Sequence, residues 1–511
     1  MLDVKDMRRD TPLVFPVALF LLAILTRIPF ASDFLFSWDS VDFALALETY
    51  NVPAHQPHPP GYFLYVMLGR VFRFFTEDAN VVFVSISIAF SAFAIVALYY
   101  LGKELHDRST GVLAAAIGIT SPNLWFHGEV ALTYVAEAFF STLIAVLCWR
   151  MRSGKWSCLW LSALAMGIAG GFRQATPVFL FPLWIYSAKD LPLRKIALSL
   201  GLMALASLFW FLPMLRMTGG WDAYYGAFRE LWTYNTGNFT VFGNGWPALK
   251  LYSSTLLLFV LYGLGFGVFP LVLALHAWIR QGKHRSWDRE QSVFFSVWAF
   301  PSILFYLLIF IHPVNPGYSL VIMPVFYILT ALALEFLCSD LQRIWRRNWY
   351  PWLAFLLVFL NACWFFLSTS PPSYRGIRQH DRELVAMFDG IQAFPPQETA
   401  VFIAKPYAFS GFRHIMYYLP EYRVYQVDVR VSSTGEKRRT YWGVNRETKL
   451  TDAIDLPEGI DKVAILTDGD DCRNTGDGVE LRLRINHSGL CILSGPVTVL
   501  KRMFPGLRFL S

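Results

Sequence analysis

The chain is poor in charge: Asp, Glu, Lys and Arg make up 16% of its 511 residues against 55% hydrophobic ones, more apolar surface than a soluble core hides. Lipid must cover the excess. Cysteine is scarce too, with six residues, no CxxC and no Cys/His metal spacing. No GxGxxG follows a strand and no P-loop occurs, so a nucleotide-binding fold has no support. Internal repeats and low-complexity tracts are missing. The net charge of +7 is spread over short clusters between apolar runs, a pattern that speaks against a nucleic-acid partner.

What is present is a series of apolar stretches near 12–29, 79–101, 109–124, 132–149, 157–172, 175–188, 196–215, 251–278, 293–311, 318–338 and 350–368. They predict an α-helical polytopic membrane protein with about eleven transmembrane helices. Trp125, Trp149, Trp184, Trp221, Trp246 and Trp349 fall near helix ends, where indoles anchor at bilayer interfaces. The run from Val14 to Ile28 after Lys5, Arg8 and Arg9 lacks a small-residue cleavage site and reads as a retained first helix. Basic residues gather in alternate connections, including Lys103/Arg108, Arg150/Arg152 and Arg343/Arg346/Arg347. The positive-inside rule then sets the N-terminus in the cytoplasm and the C-terminal part outside, in a plasma (inner) membrane.

Hydropathy falls after Ser368, and Pro371-Pro372 marks a boundary. The division expected is 1–368, membrane, and 369–511, a soluble extracytoplasmic mixed α/β domain with a helix near 378–393 and strands near 399–404, 422–429, 462–467 and 490–500. Cys472 and Cys491 stand together there, and a disulfide is expected if that part is extracytoplasmic. Asp468-Gly469-Asp470-Asp471 lacks the twelve-residue calcium pattern and reads as a solvated turn. Asn238-Phe239-Thr240 and Asn486-His487-Ser488 match glycosylation triplets that are common by chance.

Outer segments 30–78, 121–131 and 216–250 are too long or polar for simple turns. The first carries Trp38-Asp39-Ser40-Val41-Asp42 and, past a proline-rich link, His55-Gln56-Pro57-His58-Pro59-Pro60-Gly61-Tyr62. Stretches 40–50 and 61–75 suit surface helices, with Arg70 and Arg73 reaching headgroups. Asp39 or Ser40 as N-cap, with Asp42 as first-turn acid, accounts for the same residues without chemistry.

This order of first helix, early outer acid, two surface helices and His-Pro-Pro-Gly-Tyr turn resembles GT-C glycosyltransferases, particularly the protein O-mannosyltransferase-like branch of bacterial membrane proteins. The resemblance spans about 10–370 and is most specific between Trp38 and Arg70. It implies a GT-C-like fold and an inverting glycosyltransferase that moves a sugar from a polyprenyl-phosphate donor, with Asp39 as base and Asp42 second. Glu129, in Ser121-Pro122-Asn123 to Tyr134, resembles the second acid of that family; helix-dipole stabilisation is its plain alternative. Arg173 and Gln174, at the outer end of the fifth span, supply a phosphate clamp, or for Arg173 a headgroup anchor. Tyr318 in His312-Pro313-Val314-Asn315-Pro316-Gly317-Tyr318 matches the turn that abuts the donor lipid in relatives; a plain Pro-Gly turn serves as well.

His55 and His58 complete the candidate substrate-binding set. With Asp39 and Glu129 they are also a candidate set for a divalent cation, Mg or Mn, with no short ligand spacing behind it, so the metal stays unknown. Aromatic and polar residues of 216–250, among them Trp221, Tyr224, Tyr225 and Trp232, form either an interfacial belt or a lid over the acceptor. The acceptor is a glycan, a lipid or a protein. A single Asp in Trp-Asp-Ser, rather than the adjacent Asp-Glu of protein O-mannosyltransferases, weighs against protein. A transporter or flippase for lipid-linked sugars, or a non-catalytic glycan-binding relative, is the alternative; polar groups gathered at one surface favour the enzyme over transport.

Overall fold

The structure is a computed structural model that describes residues 13–281, 288–404, 410–432, 435–444, 447–451, 453–472, 478–485, 489–504 and 508–509. The N-terminal basic cluster, Lys283/Arg285 and the 486–488 triplet lie outside the described residues, as does the Asn238 side chain.

The helices run α1 Val14–Leu25, α2 Trp38–Glu48, α3 Phe63–Phe72, α4 Ala79–Leu105, α5 Arg108–Thr120, α6 Pro122–His127, α7 Tyr134–Arg152, α8 Cys158–Phe172 and α9 Ala175–Ala188. They continue as α10 Leu193–Thr218, α11 Trp221–Phe239, α12 Val241–Leu264, α13 Val268–Gln281, α14 Arg289–Leu308, α15 Met323–Trp345, α16 Tyr350–Leu367, α17 Tyr374–Gln392, α18 Phe412–Tyr418 and α19 Val499–Met503. Each of the eleven apolar stretches is helical. The stretch at 251–278 is divided by a 3-10 turn at Gly265–Gly267, where Asn361 Oδ1 accepts the Phe266 N–H at 2.8 Å. Seven helical segments among the described residues are long and apolar enough to cross a membrane.

Starts are set by side chains that accept the first free N–H groups: Asp78 for α4, Asp107 for α5 and Ser121 for α6. The inner bundle is tight where side chains are missing: a Cβ on Gly102 would sit 2.8 Å from Gly111, so α4 and α5 touch backbone to backbone. On the outside, Leu205, Phe209 and Leu212 of α10 and Phe355 and Phe359 of α16 are exposed, which suits a lipid-facing wall. This is a multi-pass membrane protein.

After Ser368 come α17, the strands β1 Thr399–Ile403, β2 Arg423–Ser432, β3 Gly435–Val444, β4 Glu447–Thr451, β5 Ala453–Ile454, β6 Lys462–Asp468, β7 Glu480–Ile485, β8 Leu490–Pro496 and β9 Arg508–Phe509, and helices α18 and α19. Seven strands form one sheet in the order β4-β3-β2-β1-β6-β8-β7, parallel at its centre and antiparallel at both flanks. The burial of all five β1 residues is what a central strand covered on both faces requires. Cys472 and Cys491 form a disulfide, as the sequence led us to expect.

Three expectations need correction. The helix of the first long loop, α2, is not an exposed surface helix: residues 40–47 are all buried within the protein. It is capped by neither Asp39 nor Ser40 but by Ser37, whose Oγ accepts the Ser40 N–H in a reciprocal capping box. Likewise Arg70 donates to Ala46 O at 2.9 Å instead of reaching headgroups.

Candidate active site

Because Ser37 caps α2, Asp39 is released from capping and stands on the first turn with its side chain 37% exposed, while Asp42 one turn on is fully buried. The returning chain brings His58 over both. Its Nδ1 lies 3.2 Å from Asp42 Oδ2 and 3.6 Å from Asp39 Oδ1, and its Nε2 is 3.3 Å from Tyr62 Oη. The turn that does this uses left-handed backbone at His55, Gly61 and Tyr62, with Tyr50 Oη donating to Gly61 O at 2.6 Å. Asp42 Oδ1 accepts from the Arg413 guanidinium of α18. An ionised carboxylate only accepts, so hydrogen-bond logic puts the imidazole proton on Nδ1 and makes Nε2 the acceptor of the Tyr62 hydroxyl. Burial lowers the His58 pKa, with Asp39 opposing and Arg173 adding to the shift, so the ring is neutral at pH 7.

Arg173 stands at the end of α8. Its Nε is 2.9 Å from Glu137 Oε2, its Nη1 donates to Thr133 Oγ1 at 3.3 Å, and its guanidinium lies 4.3 Å from the Tyr134 ring centroid and 5.1 Å from that of Tyr318. Asp39 and Arg173 both act electrostatically on Tyr62, Tyr134 and Tyr318, and Asp39 also acts on His312. Acid, cation and phenols therefore border one site. Gln174 Nε2 donates to Pro60 O at 3.0 Å, and Tyr224 of α11 reaches both Gln174 Oε1 and Pro60 O at 3.3 Å. The other face of α11 points outward, where Trp221 stacks on Tyr225 and Phe228 on Trp232.

Glu129 is not brought to Asp39. It lies in the turn after α6 rather than at the start of α7, buried, with Arg27 as its charged neighbour. Arg27 in turn donates to Ile119 O at 2.8 Å and lies 5.1 Å from the centroid of the Trp125 ring. Burial pushes the Glu129 carboxyl well above its ordinary range, and Arg27 only partly offsets this. His55 contributes its carbonyl, which accepts from Arg413 at 3.3 Å.

The acid cluster is Asp39, Asp42 and His58, not the Asp39, Glu129, His55 and His58 set that composition offered for a cation. Two carboxylates and an imidazole are a donor set that divalent ions use. Here they fit poorly, because the Arg413 guanidinium already sits on Asp42 and a second cation would be repelled by it.

Sequence reasoning missed Arg413, Glu137 and Tyr134. Glu137 had a signal: an acid in the first turn of an apolar helix needs a basic partner, and Arg173 is that partner. Arg413 had none.

The fold is a polytopic helical membrane fold that gathers an acid, an imidazole and an arginine in its first long loop and beside it, and comparison with known proteins shows what it is similar to. Residues 39–191 match the family model of the Protein O-mannosyl-transferase TMEM260 N-terminal domain. Over 94% of this chain and 97% of the other, the structure is similar to ArnT from Cupriavidus metallidurans bound to undecaprenyl phosphate, with a TM-score of 0.55 at 12% identity. The same protein in the apo state gives 0.51 with the same coverage and identity. The oligosaccharyltransferase of Archaeoglobus fulgidus, in complex with Zn and sulfate, gives 0.46 at 13% identity over 80% of this chain and 61% of that one. No curated protein sequence matches the chain. The resemblance first read between Trp38 and Arg70 is borne out, and the GT-C-like fold extends through the C-terminal sheet.

Proposed function

We propose that this protein is an inverting glycosyltransferase that moves a monosaccharide from a polyprenyl-phosphate donor to an acceptor hydroxyl at the outer face of the plasma membrane. The observation that carries this reading is a partly exposed Asp39 beside a neutral His58, with the buried Arg173 near enough to act on His58, Tyr62 and Tyr318 together with Asp39. The acceptor oxygen attacks the anomeric carbon, the bond from that carbon to the phosphate oxygen breaks, and the acceptor proton passes to Asp39. Arg173, with the Tyr318 hydroxyl, stabilises the charge that develops on the departing polyprenyl phosphate. Gln174 and Tyr224 fix the Pro60 turn that presents His58. Glu129 and His55 act only by holding the loops, and Asp42 by holding His58.

The reading includes eleven membrane crossings, division into 1–368 and 369–511, a cytoplasmic N-terminus and an extracytoplasmic C-terminal domain. The Cys472–Cys491 disulfide supports that orientation, since such bonds persist in oxidising compartments. The test is sugar release from radiolabelled polyprenyl-phosphate monosaccharides by purified wild type and Asp39→Asn, with envelope extract as acceptor. Transfer by the wild type that vanishes in a folded Asp39→Asn upholds the reading. A wild type that consumes no donor overturns it.

A further inference from the structure

The first outer loop is held from outside the membrane portion. Asp381 Oδ1 accepts from Ser32 Oγ at 2.8 Å, Tyr418 Oη accepts the Leu35 N–H at 3.0 Å, and His414 Nε2 lies 2.9 Å from Leu35 O. At the end of this run Arg413, 1% exposed, reaches Asp42 with its guanidinium 4.7 Å from the Trp38 ring centroid. A buried ion pair seldom stabilises a protein more than a well-packed apolar pair of the same volume, so its place beside Asp39 calls for another explanation. Asp39, Asp42 and His58 offer ligand atoms within 4.8 Å of one another. Two carboxylates that close share protons unless one is neutralised.

We propose that Arg413 is a positioning residue by which the C-terminal portion completes the site. It keeps Asp42 ionised and immobile, Asp42 pins His58 through Nδ1–H, and Asp39 is left as the partly exposed carboxylate of the two. The effect on turnover rests on the glycosyl-transfer reading; the clamp itself does not.

The experiment uses the full chain in detergent as wild type, Arg413→Met, Arg413→Lys, Asp42→Asn and the double variant Asp42→Asn/Arg413→Met. Arg413→Met strands a buried carboxylate and lowers the apparent melting temperature by roughly 5 °C or more, and adding Asp42→Asn recovers most of that fall. With a donor that the wild type consumes, Arg413→Met lowers kcat by about 10-fold or more while the donor KM moves less than about 2-fold, and Arg413→Lys restores most of the loss. Additive melting shifts, or a folded Arg413→Met with wild-type kcat, overturn the proposal. The melting cycle needs no substrate, so a wild type inactive on every donor overturns the transfer reading while the cycle still decides the clamp.

Discussion

Asp39 and Glu129 are both acids in loops of one membrane bundle, yet they stand in opposite surroundings. Asp39 is partly open and shares a neutral imidazole with a second carboxylate. Glu129 is sealed, its neighbour is an arginine that braces α1 against α5, and burial drives its carboxyl toward the protonated form. The difference shows that the residue type does not fix the task. A proton acceptor needs access and a charge that survives at neutral pH; a buried acid beside an arginine holds helices together.

The sharpest way to break this contrast is to make the same isosteric change at both acids. Asp39→Asn is expected to lower kcat by roughly 1,000-fold, within the range that loss of a general base produces. Glu129→Gln, which imitates a carboxyl already pushed toward neutrality, is expected to stay within about 3-fold of wild type. Equal losses at the two positions, in folded proteins, would erase the distinction.

Next in size is Arg173. Arg173→Met should reduce kcat by roughly 100-fold, as loss of one transition-state donor does, and Arg173→Lys should recover little, because a point ammonium cannot hold Glu137 and Thr133 and still face the tyrosines. Steady-state rates on the accepted donor check this; recovery by Lys would reduce Arg173 to a plain charge.

A smaller effect separates the loop's two supports by pH. His380 and His414 are buried against the first outer loop, and burial pulls their pKa values down to about 3 and about 4. In the unfolded chain each takes a proton near pH 6.5. Their contribution to stability is therefore complete above about pH 6.5 and is lost as pH falls toward 4 and then 3. His127 in α6, held near 4, has the same sign. Apparent melting temperature should fall from pH 7 to pH 5, and His380→Phe should lessen the slope by about one proton. An unchanged slope would show that His380 is not buried neutral.

The smallest change is expected from Cys472→Ser/Cys491→Ser. Opening a loop of 19 residues' separation costs roughly 3 kcal/mol, confined to the C-terminal sheet, with donor KM unchanged. A shifted KM would tie that sheet to substrate directly.

Much of the framework is legible in the sequence because its signals are local. Long apolar stretches are helical wherever they occur, Asp39 and His58 stand out as titratable groups beside a Pro-Pro-Gly turn, and Arg173 stands out as a charge at a helix end. What was misread depended on neighbours distant in sequence. Ser37 rather than Asp39 caps α2 because the reciprocal bond with Ser40 satisfies two groups at once. Glu129 falls beside Arg27 because the chain just past α1 meets α6, where Trp125 Nε1 donates to Thr26 O, and no spacing between positions 27 and 129 announces this. Arg413 lies 371 residues from Asp42, in a segment with no local mark of chemistry.

By itself, then, the sequence determined a multi-pass membrane protein with an α/β region after the last apolar stretch and a short list of candidate acids, since hydropathy and turn residues act within a few residues of chain. The tertiary structure alone decided which acid is open and which is sealed, what neutralises Asp42 and what faces Arg173. Burial and charge pairing are properties of a place in the fold, and a place is defined by whatever segments happen to meet there.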